Sequence, residues 1–267
     1  MWGWLKPLQG RDVALRAAAV TFYAGIAVVP IALLAIWVAG VLVGTDRVRR
    51  LTGHTISALP DEIGAPHALN ALITSGLHLS PWFAVASLLP ATFYGEGLRR
   101  AFVSLRDDPE SFVGWRGRLL WLPPLAASPA LLLALFLALP TTSALWVRGG
   151  WYSFAAIVLS FLAAWLLLTP VVVWVYRYVA PGRPAWPAAL VVGSFTAANL
   201  SGFLHGFVLF CSLPLNLGAP FGGFTAIGGT VAVGLWLYLF HVILLAGYAA
   251  TLSASGYWRK RQSHSRS

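Results

Sequence analysis

The sequence predicts an all-α membrane protein, a bundle of six transmembrane helices, several of them kinked by proline, with short interfacial helices between the first and second spans. The first observation is composition: 58% of the 267 residues are hydrophobic and only 10% are charged, whereas soluble domains carry roughly 25% charged residues. The second is that six apolar stretches approach or exceed the ~20 residues with which a helix crosses hydrocarbon. The third is an uneven distribution of lysine and arginine, which orients the spans.

The six predicted spans follow one another in a single domain. The first apolar stretch is too long for a cleavable signal, so we expect it to remain as a span. The second begins at Ser80 and Pro81, residue types that suit a helix N-cap and first helical position. The fourth contains no charge and has tryptophan and tyrosine at both ends, as interfacial belts require. The spans are predicted at residues 13–43, 81–98, 119–139, 151–176, 187–213 and 221–252, within a domain at 1–254 that precedes a basic tail at 255–267.

Residues 44–80 form the one long segment between spans. Apolar side chains recur there at helical spacing, which predicts two short amphipathic helices at the outer interface. The two stripes are Val48, Leu51, Thr55 and Leu59, and then Leu69, Leu72, Ile73 and Leu77.

Basic residues predict the orientation. Fourteen of the 18 lysines and arginines lie near the two termini or in the second-to-third and fourth-to-fifth connections. Because cytoplasmic loops carry the basic excess, we expect both termini on the cytoplasmic side. The excess then attracts anionic lipid headgroups, and it does not indicate nucleic-acid binding.

The acidic residues exclude several kinds of chemistry. None follows Glu110, so the last four spans contain no carboxylate for a proton relay. No histidine or cysteine spacing typical of a metal site appears, and the only cysteine, Cys211, lies in an apolar run. We therefore expect no enzyme activity, no metal and no cofactor. The eight acids are Asp12, Asp46, Asp61, Glu62, Glu96, Asp107, Asp108 and Glu110.

Polar residues of the first span are the first candidates for substrate contact. Arg16, Tyr23 and Pro30 are spaced by seven and share one helix face. The alternative for Arg16 is an anchor that extends to the cytoplasmic interface. The alternative for Tyr23 is a structural hydrogen bond to a neighbouring helix.

Further candidates lie in the later spans. Glu96 is four residues from Arg100 and three from Arg99, so it is either a locally paired structural residue or a functional one. Ionisable groups within spans are functional candidates by default, although membrane histidines also serve in packing. The candidate substrate or lipid contacts are thus Arg16, Tyr23, Glu96, Arg99, Arg177, Asn199, His205 and His241.

Prolines and glycines predict local deformation of the spans. Each internal proline frees a backbone carbonyl and permits a kink, and we predict kinks at Pro30, Pro90, Pro129 and Pro170. Gly202 and Gly206 form a G-x-x-x-G step for close helix approach. The similar positions of Pro30 and Pro170 in the first and fourth spans also leave open a three-plus-three inverted repeat.

Four stretches, taken in order, resemble the YihY/BrkB family of bacterial inner-membrane proteins. They are "AAAVTFYAGIAVVPIALLA", "FYGEGLRRAFVSL", "VVVWVYRYVAPGRPAWPAALVVGSF" and "FGGFTAIGGTVAVGLWLYLFHVILLAGY". The resemblance covers most of residues 11–252. It implies six spans with cytoplasmic termini in the bacterial inner membrane. It also implies a connection with envelope integrity, serum resistance and suspected transport of lipids or ions.

The sequence departs from the family pattern at one position. The final span of the family usually ends Gly-Ala-Glu, whereas this chain has Gly247, Tyr248 and Ala249, so the expected acid is missing. A ribonuclease label carried by some members has no support here, because the chain lacks a soluble basic groove and a metal centre.

Three functions remain open at this level. The first is a transporter or flippase-like protein for a lipid or other amphipathic anion, with membrane lipids as partners. The second is an ion or small-solute exchanger, for which Tyr23, Asn199 and His205 are the polar evidence. The third is a non-transporting envelope scaffold that binds its partner through residues 44–80. The sequence leaves homo-oligomer formation open.

Overall fold

The computed structural model describes residues 12–56, 65–106, 110–211, 213 and 215–264, and in these ranges all regular structure is helical. This confirms the predicted fold class. A π-helical turn (Val175–Val179) extends α6, and a 3₁₀ turn (Ala219–Phe221) precedes α8. The α-helices are α1 (Val13–Val43), α2 (Thr45–Ile56), α3 (Ala65–Leu77), α4 (Pro81–Ser104), α5 (Val113–Val147), α6 (Trp151–Trp174), α7 (Trp186–Cys211) and α8 (Thr225–His264).

Five of the described helices are each long and apolar enough to cross a membrane, namely α1, α5, α6, α7 and α8. Helix α4 meets this condition only together with α3, from which it is bent by 120°. The predicted number of six spans is therefore reached when this bent pair counts as one. Helix α4 is not apolar enough to count by itself because it carries Glu96, Arg99 and Arg100 in its C-terminal half.

The long helices pack in a ring that follows chain order. Helix α1 contacts α4, each later helix contacts the next, and α8 returns to α1. Helix α1 also contacts α5, so α1, α4 and α5 form the closest group. We call the end of the bundle at which α1 begins and α8 ends the terminal end. The last turn of α4, the start of α5, the π-helical turn and the start of α7 lie at this same end.

Glycines on α4 allow this close packing. A Cβ atom at Gly95 would lie 2.5 Å from the carbonyl oxygen of Gly117 on α5. On the other side of α4, a Cβ atom at Gly97 would lie 2.6 Å from the ring of Tyr23. Small residues bring membrane helices together in this way because van der Waals contact replaces the hydrophobic effect in lipid. Tyr23 therefore packs against a glycine of a neighbouring helix, and the interhelical hydrogen bond expected for it stays a prediction.

The segment between the first two spans packs on the bundle end opposite the terminal end. Val48 is fully buried, and Ile73 is 3% exposed. Gly76 of α3 lies directly against Ile36 of α1, with 2.7 Å between its added Cβ and the isoleucine methyl. The two predicted helices are present and turn their apolar stripes toward the protein. Leu59, Asp61 and Glu62, and the side chain of Thr55, lie outside the described residues.

Several helix ends differ from the predicted bounds. Helix α8 continues through residues assigned to a separate tail and ends at His264. Helix α6 passes into the π-helical turn, whose last hydrogen bond joins the amide of Ala180 to the carbonyl of Val175 at 2.7 Å. The helices also continue without a break through Pro30, Pro90, Pro129 and Pro170, so the kinks stay predictions. The side chain of Cys211, and Asp107 and Asp108, lie outside the described residues.

We expect Gly95→Ala to destabilise the fold by about 1–3 kcal/mol, the usual cost of overpacking a filled interior. The added methyl group would meet the backbone carbonyl of Gly117, which has no rotamer by which to move away. Thermal unfolding of the detergent-solubilised protein, followed by size-exclusion chromatography, measures the effect. Gly25→Ala is the matched control, because nothing lies within 4 Å of its added Cβ. Equal stability of the two variants would contradict the packing argument.

Candidate functional site

A cavity at the terminal end brings together five charged side chains. We call it the arginine cavity, and its volume is about 480 Å³. Four arginines and one carboxylate line it together with apolar residues from α5 and from the turn after α6. The lining residues are Arg99, Arg106, Glu110, Arg116, Leu119, Leu120, Tyr178, Ala180, Pro181, Gly182 and Arg183.

Arg99 is the buried centre of this cavity. Its Nη1 donates to the carbonyl of Val179 at 2.6 Å, and its Nε and Nη2 donate to Glu110 Oε1 at 3.1 and 2.5 Å. The side chain is only 5% exposed. Val179 ends the π-helical turn, where carbonyl groups lack helical partners and favour a cation. Arg99 therefore ties α4 to the end of α6 and to the loop that carries Glu110.

Arg116 completes the pairing of Glu110 from the other side. Its Nη1 lies 2.8 Å from the same Oε1 atom, but its side chain is 55% exposed. Leu119, one turn further along α5, is 61% exposed. The rim of the cavity thus presents an accessible guanidinium beside an accessible apolar side chain.

The loop before α7 forms the opposite wall. Gly182 has φ +87°, a left-handed conformation that side chains disfavour, and a Cβ atom there would overlap the Arg106 guanidinium. The hydroxyl of Tyr248 on α8 donates to the carbonyl of Pro181 at 2.6 Å and holds this loop in place. Ala249, the position at which the resemblance implies an acid, is fully buried.

Glu96 belongs to a neighbouring charge cluster. It accepts from Nε of Arg100 at 2.9 Å and from Nε of Arg118 at 2.6 Å. The Arg118 guanidinium also lies over the rings of Phe93 and Trp115, at 4.4 and 5.2 Å from their centroids. Glu96 is thus fully engaged by arginines, and it lines a second cavity that shares Glu110 with the first.

Two further predicted arginines lie outside the arginine cavity. Arg177, on the π-helical turn, has its guanidinium over the rings of Tyr178 and Trp186, at 5.5 and 5.3 Å. Its buried Nε and Nη1 have no hydrogen-bond partner, and the same holds for the Nε of Arg16. The substrate contacts predicted for Arg16 and Arg177 stay predictions.

His241 lies within the bundle between α8, α1 and α4, and is 1% exposed. Its Nδ1 is 3.1 Å from Thr21 Oγ1, and its Nε2 is 3.0 Å from the hydroxyl of Tyr94. The Thr21 hydroxyl already donates to the carbonyl of Ala17 at 2.8 Å, so we assign the ring proton to Nδ1 and the Tyr94 hydroxyl as donor to Nε2. Both nitrogens of His241 therefore have partners on other helices.

The two polar residues predicted on the fifth span do not converge with the cavity. His205 Nδ1 donates to the carbonyl of Ser201 at 2.8 Å, and its Nε2 is 2.9 Å from the Ser160 hydroxyl of α6. Asn199 is exposed on α7, and its amide donates to the carbonyl of Phe195 at 2.8 Å. Neither residue lines either of the two cavities described above. Within the described ranges, no group of three or more His, Cys, Asp or Glu side chains could hold a metal ion.

Sequence reasoning singled out Arg99 and Glu96 and the nearby Arg100, but it missed the partners Glu110 and Arg118. Glu110 is eleven residues from Arg99, across a loop, and no helical spacing relates them. Arg118 lies 22 residues from Glu96. Tyr94 and Thr21 were missed because only their contact with His241 gives them a role. The one usable signal was that Glu110 is the last acid before a long stretch without carboxylates.

A comparison with protein-family models matches residues 5–267 to the family described as Virulence factor BrkB. Searches of curated proteins and of solved structures each returned no significant match.

We expect Arg99→Gln to cost about 3–5 kcal/mol, as when one partner of a buried pair is removed. The loss would leave the Glu110 carboxylate and the Val179 carbonyl without their shared donor. Arg116→Gln should cost less than about 1 kcal/mol, because its side chain is exposed and screened. Thermal unfolding in one detergent compares the two variants. Equal destabilisation would show that the burial of Arg99 does not decide its contribution.

Tyr94→Phe should destabilise the protein by about 1 kcal/mol, the usual scale of one interhelical hydrogen bond in a membrane protein. The change keeps the ring, which packs against Trp121 at a centroid distance of 4.8 Å, and removes only the donor to His241. The measurement is again thermal unfolding. Tyr152→Phe, at an exposed ring near Arg148, is the control. A loss as large in the control would argue against the His241 contact.

Proposed function

This chain belongs to the YihY/BrkB family, and from that premise we propose that it is a transporter or flippase-like protein for an anionic lipid or a similar amphipathic anion. Family membership makes it a multi-pass membrane protein and leaves the substrate open. The observation that carries the proposal is the arginine cavity, where, among the described residues, four arginines and one glutamate line one space.

The charge of the cavity suits a phosphate group. Guanidinium groups donate two parallel N–H bonds to phosphate oxygens and are the preferred partners for such groups. Arg99 and Arg116 share the one carboxylate of Glu110, so these three side chains together carry a net positive charge. That charge would attract an anionic headgroup from the surface of the bilayer.

The apolar surroundings favour a lipid over a free anion. Leu119 and Leu120 line the cavity on α5, while Trp115 and Phe112, near the start of the same helix, are 64% and 79% exposed. In a membrane protein, exposed apolar side chains near a helix end face the acyl or interfacial region. A headgroup in the cavity would then leave its chains beside α5.

We place the protein in the bacterial inner membrane with the terminal end at the cytoplasmic surface. The support is the basic excess of the sequence, of which fourteen of 18 residues fall in the termini and connections of this end. Headgroups of the inner leaflet would then meet the arginine cavity directly.

An ion exchanger has less support. Its polar path would use Tyr23, Asn199 and His205, but Tyr23 packs on Gly97, Asn199 is exposed on the outside of α7, and His205 has two hydrogen-bond partners. The scaffold alternative is an outcome of the experiment below, because a scaffold would not move lipid.

The experiment is reconstitution into liposomes that contain a fluorescent phosphatidylglycerol analogue, with an impermeant quencher reporting its transbilayer movement. We expect the wild-type protein to accelerate movement over protein-free liposomes. Arg116→Gln should slow lipid movement about fivefold. One basic residue near an anionic surface contributes roughly 1 kcal/mol, which corresponds to a factor of about five. That arginine is exposed, so the variant should remain folded.

Arg148→Gln is the matched control, because Arg148 lies between α5 and α6 at the opposite end, over the Tyr152 ring. It should move lipid at the wild-type rate. Absence of lipid movement by folded wild-type protein across a panel of anionic and zwitterionic lipids would overturn the proposal and favour a scaffold.

A further inference from the structure

Glu110 occupies an unusual place among the charges of the arginine cavity. One carboxylate oxygen, Oε1, accepts from Arg99 at 2.5 and 3.1 Å and lies 2.8 Å from Arg116 Nη1. Its side chain is 13% exposed. An anionic oxygen held between two guanidinium groups is the arrangement in which proteins bind phosphate. The Glu110 carboxylate thus occupies the position between these two arginines that the anionic group of a ligand would take.

The two arginines hold Glu110 with unequal firmness. Arg99 is 5% exposed and is also fixed to the Val179 carbonyl, so it stays in place whether or not Glu110 is bound. Arg116 is 55% exposed and can turn toward a ligand. An incoming oxygen could therefore replace Oε1 on a preformed Arg99 while Arg116 follows it.

The turn that carries Glu110 is held in an unfavourable conformation. Phe112, two residues later, has φ +56°, which residues other than glycine adopt rarely and at a cost. Its ring is exposed and does not compensate by burial. Release of Glu110 from the arginines would free this turn to relax.

We propose that Glu110 is an internal counter-ion that an anionic lipid headgroup displaces from Arg99 and Arg116. This inference rests on the proposed function, because it takes the arginine cavity as the headgroup site. Displacement makes binding a competition between two anions for the same donors. The competition weakens retention of the headgroup, and a transporter must release what it binds.

The test uses the full-length protein in mild detergent, titrated with dihexanoyl phosphatidylglycerol and followed by native mass spectrometry. We expect Glu110→Gln to bind this lipid about fivefold more tightly than the wild type, the effect of roughly one charge near the site. Dihexanoyl phosphatidylcholine and inorganic phosphate are the parallel probes. They separate an anionic lipid from any phospholipid and from free phosphate.

Asp46→Asn is the matched control, because Asp46 is an exposed acid in the first turn of α2, at the bundle end opposite the arginine cavity. It should leave lipid affinity close to that of the wild type. Equal or weaker binding by a folded Glu110→Gln, with clear binding by the wild type, would overturn the displacement while leaving the proposed function standing. Binding by neither protein, or equal binding of free phosphate, would overturn the lipid site itself.

A second measurement needs no variant. Hydrogen exchange of the wild-type protein should become faster in residues 110–116 when phosphatidylglycerol binds, because that segment loses its ion pairs. Exchange that is unchanged or slower on binding would mean that Glu110 stays on its arginines, and would overturn the inference even if Glu110→Gln fails to fold.

Discussion

The bonds made by the Arg99 guanidinium organise the terminal end of the bundle. This one side chain joins α4 to the last carbonyl of the π-helical turn and to the carboxylate of the loop before α5. A buried charge is tolerated only when it is paired and hydrogen-bonded. The pairing therefore sets where the end of α6 and the α4–α5 loop lie relative to one another, and the cavity is the space left beside this contact.

Close helix approach brings these groups within reach. The Gly95, Glu96 and Gly97 sequence places α5 against one side of α4 and Tyr23 of α1 against the other. A larger side chain at Gly95 would separate α5 from α4 and lengthen the bond from Arg118 to Glu96. Packing and electrostatics are thus coupled in three consecutive residues: the glycines set the spacing, and the carboxylate between them pairs with arginines from α4 and α5.

Polar groups deeper in the bundle follow a different rule. His241 and His205 each have a partner on both ring nitrogens, supplied by hydroxyl or carbonyl groups. Hydrocarbon offers no hydrogen bonds, so such groups must be satisfied within the protein. These histidines join helices to one another, whereas some of the arginines at the terminal end are exposed and line a cavity. Local environment, more than residue type, separates structural from candidate functional groups here.

The sequence by itself determined the helical membrane class, the start of α4 at Pro81, and the family, because hydropathy, capping residues and ordered motifs are local properties of the chain. It also placed Glu96 and Arg99 among the important residues, since charges near apolar spans are rare. Only the tertiary structure decided that α3 and α4 form a bent pair, that Glu110 and Arg116 meet Arg99, and that Asn199 is exposed away from the cavity. Those outcomes depend on which helices come close across long stretches of sequence, and no local spacing records such distances.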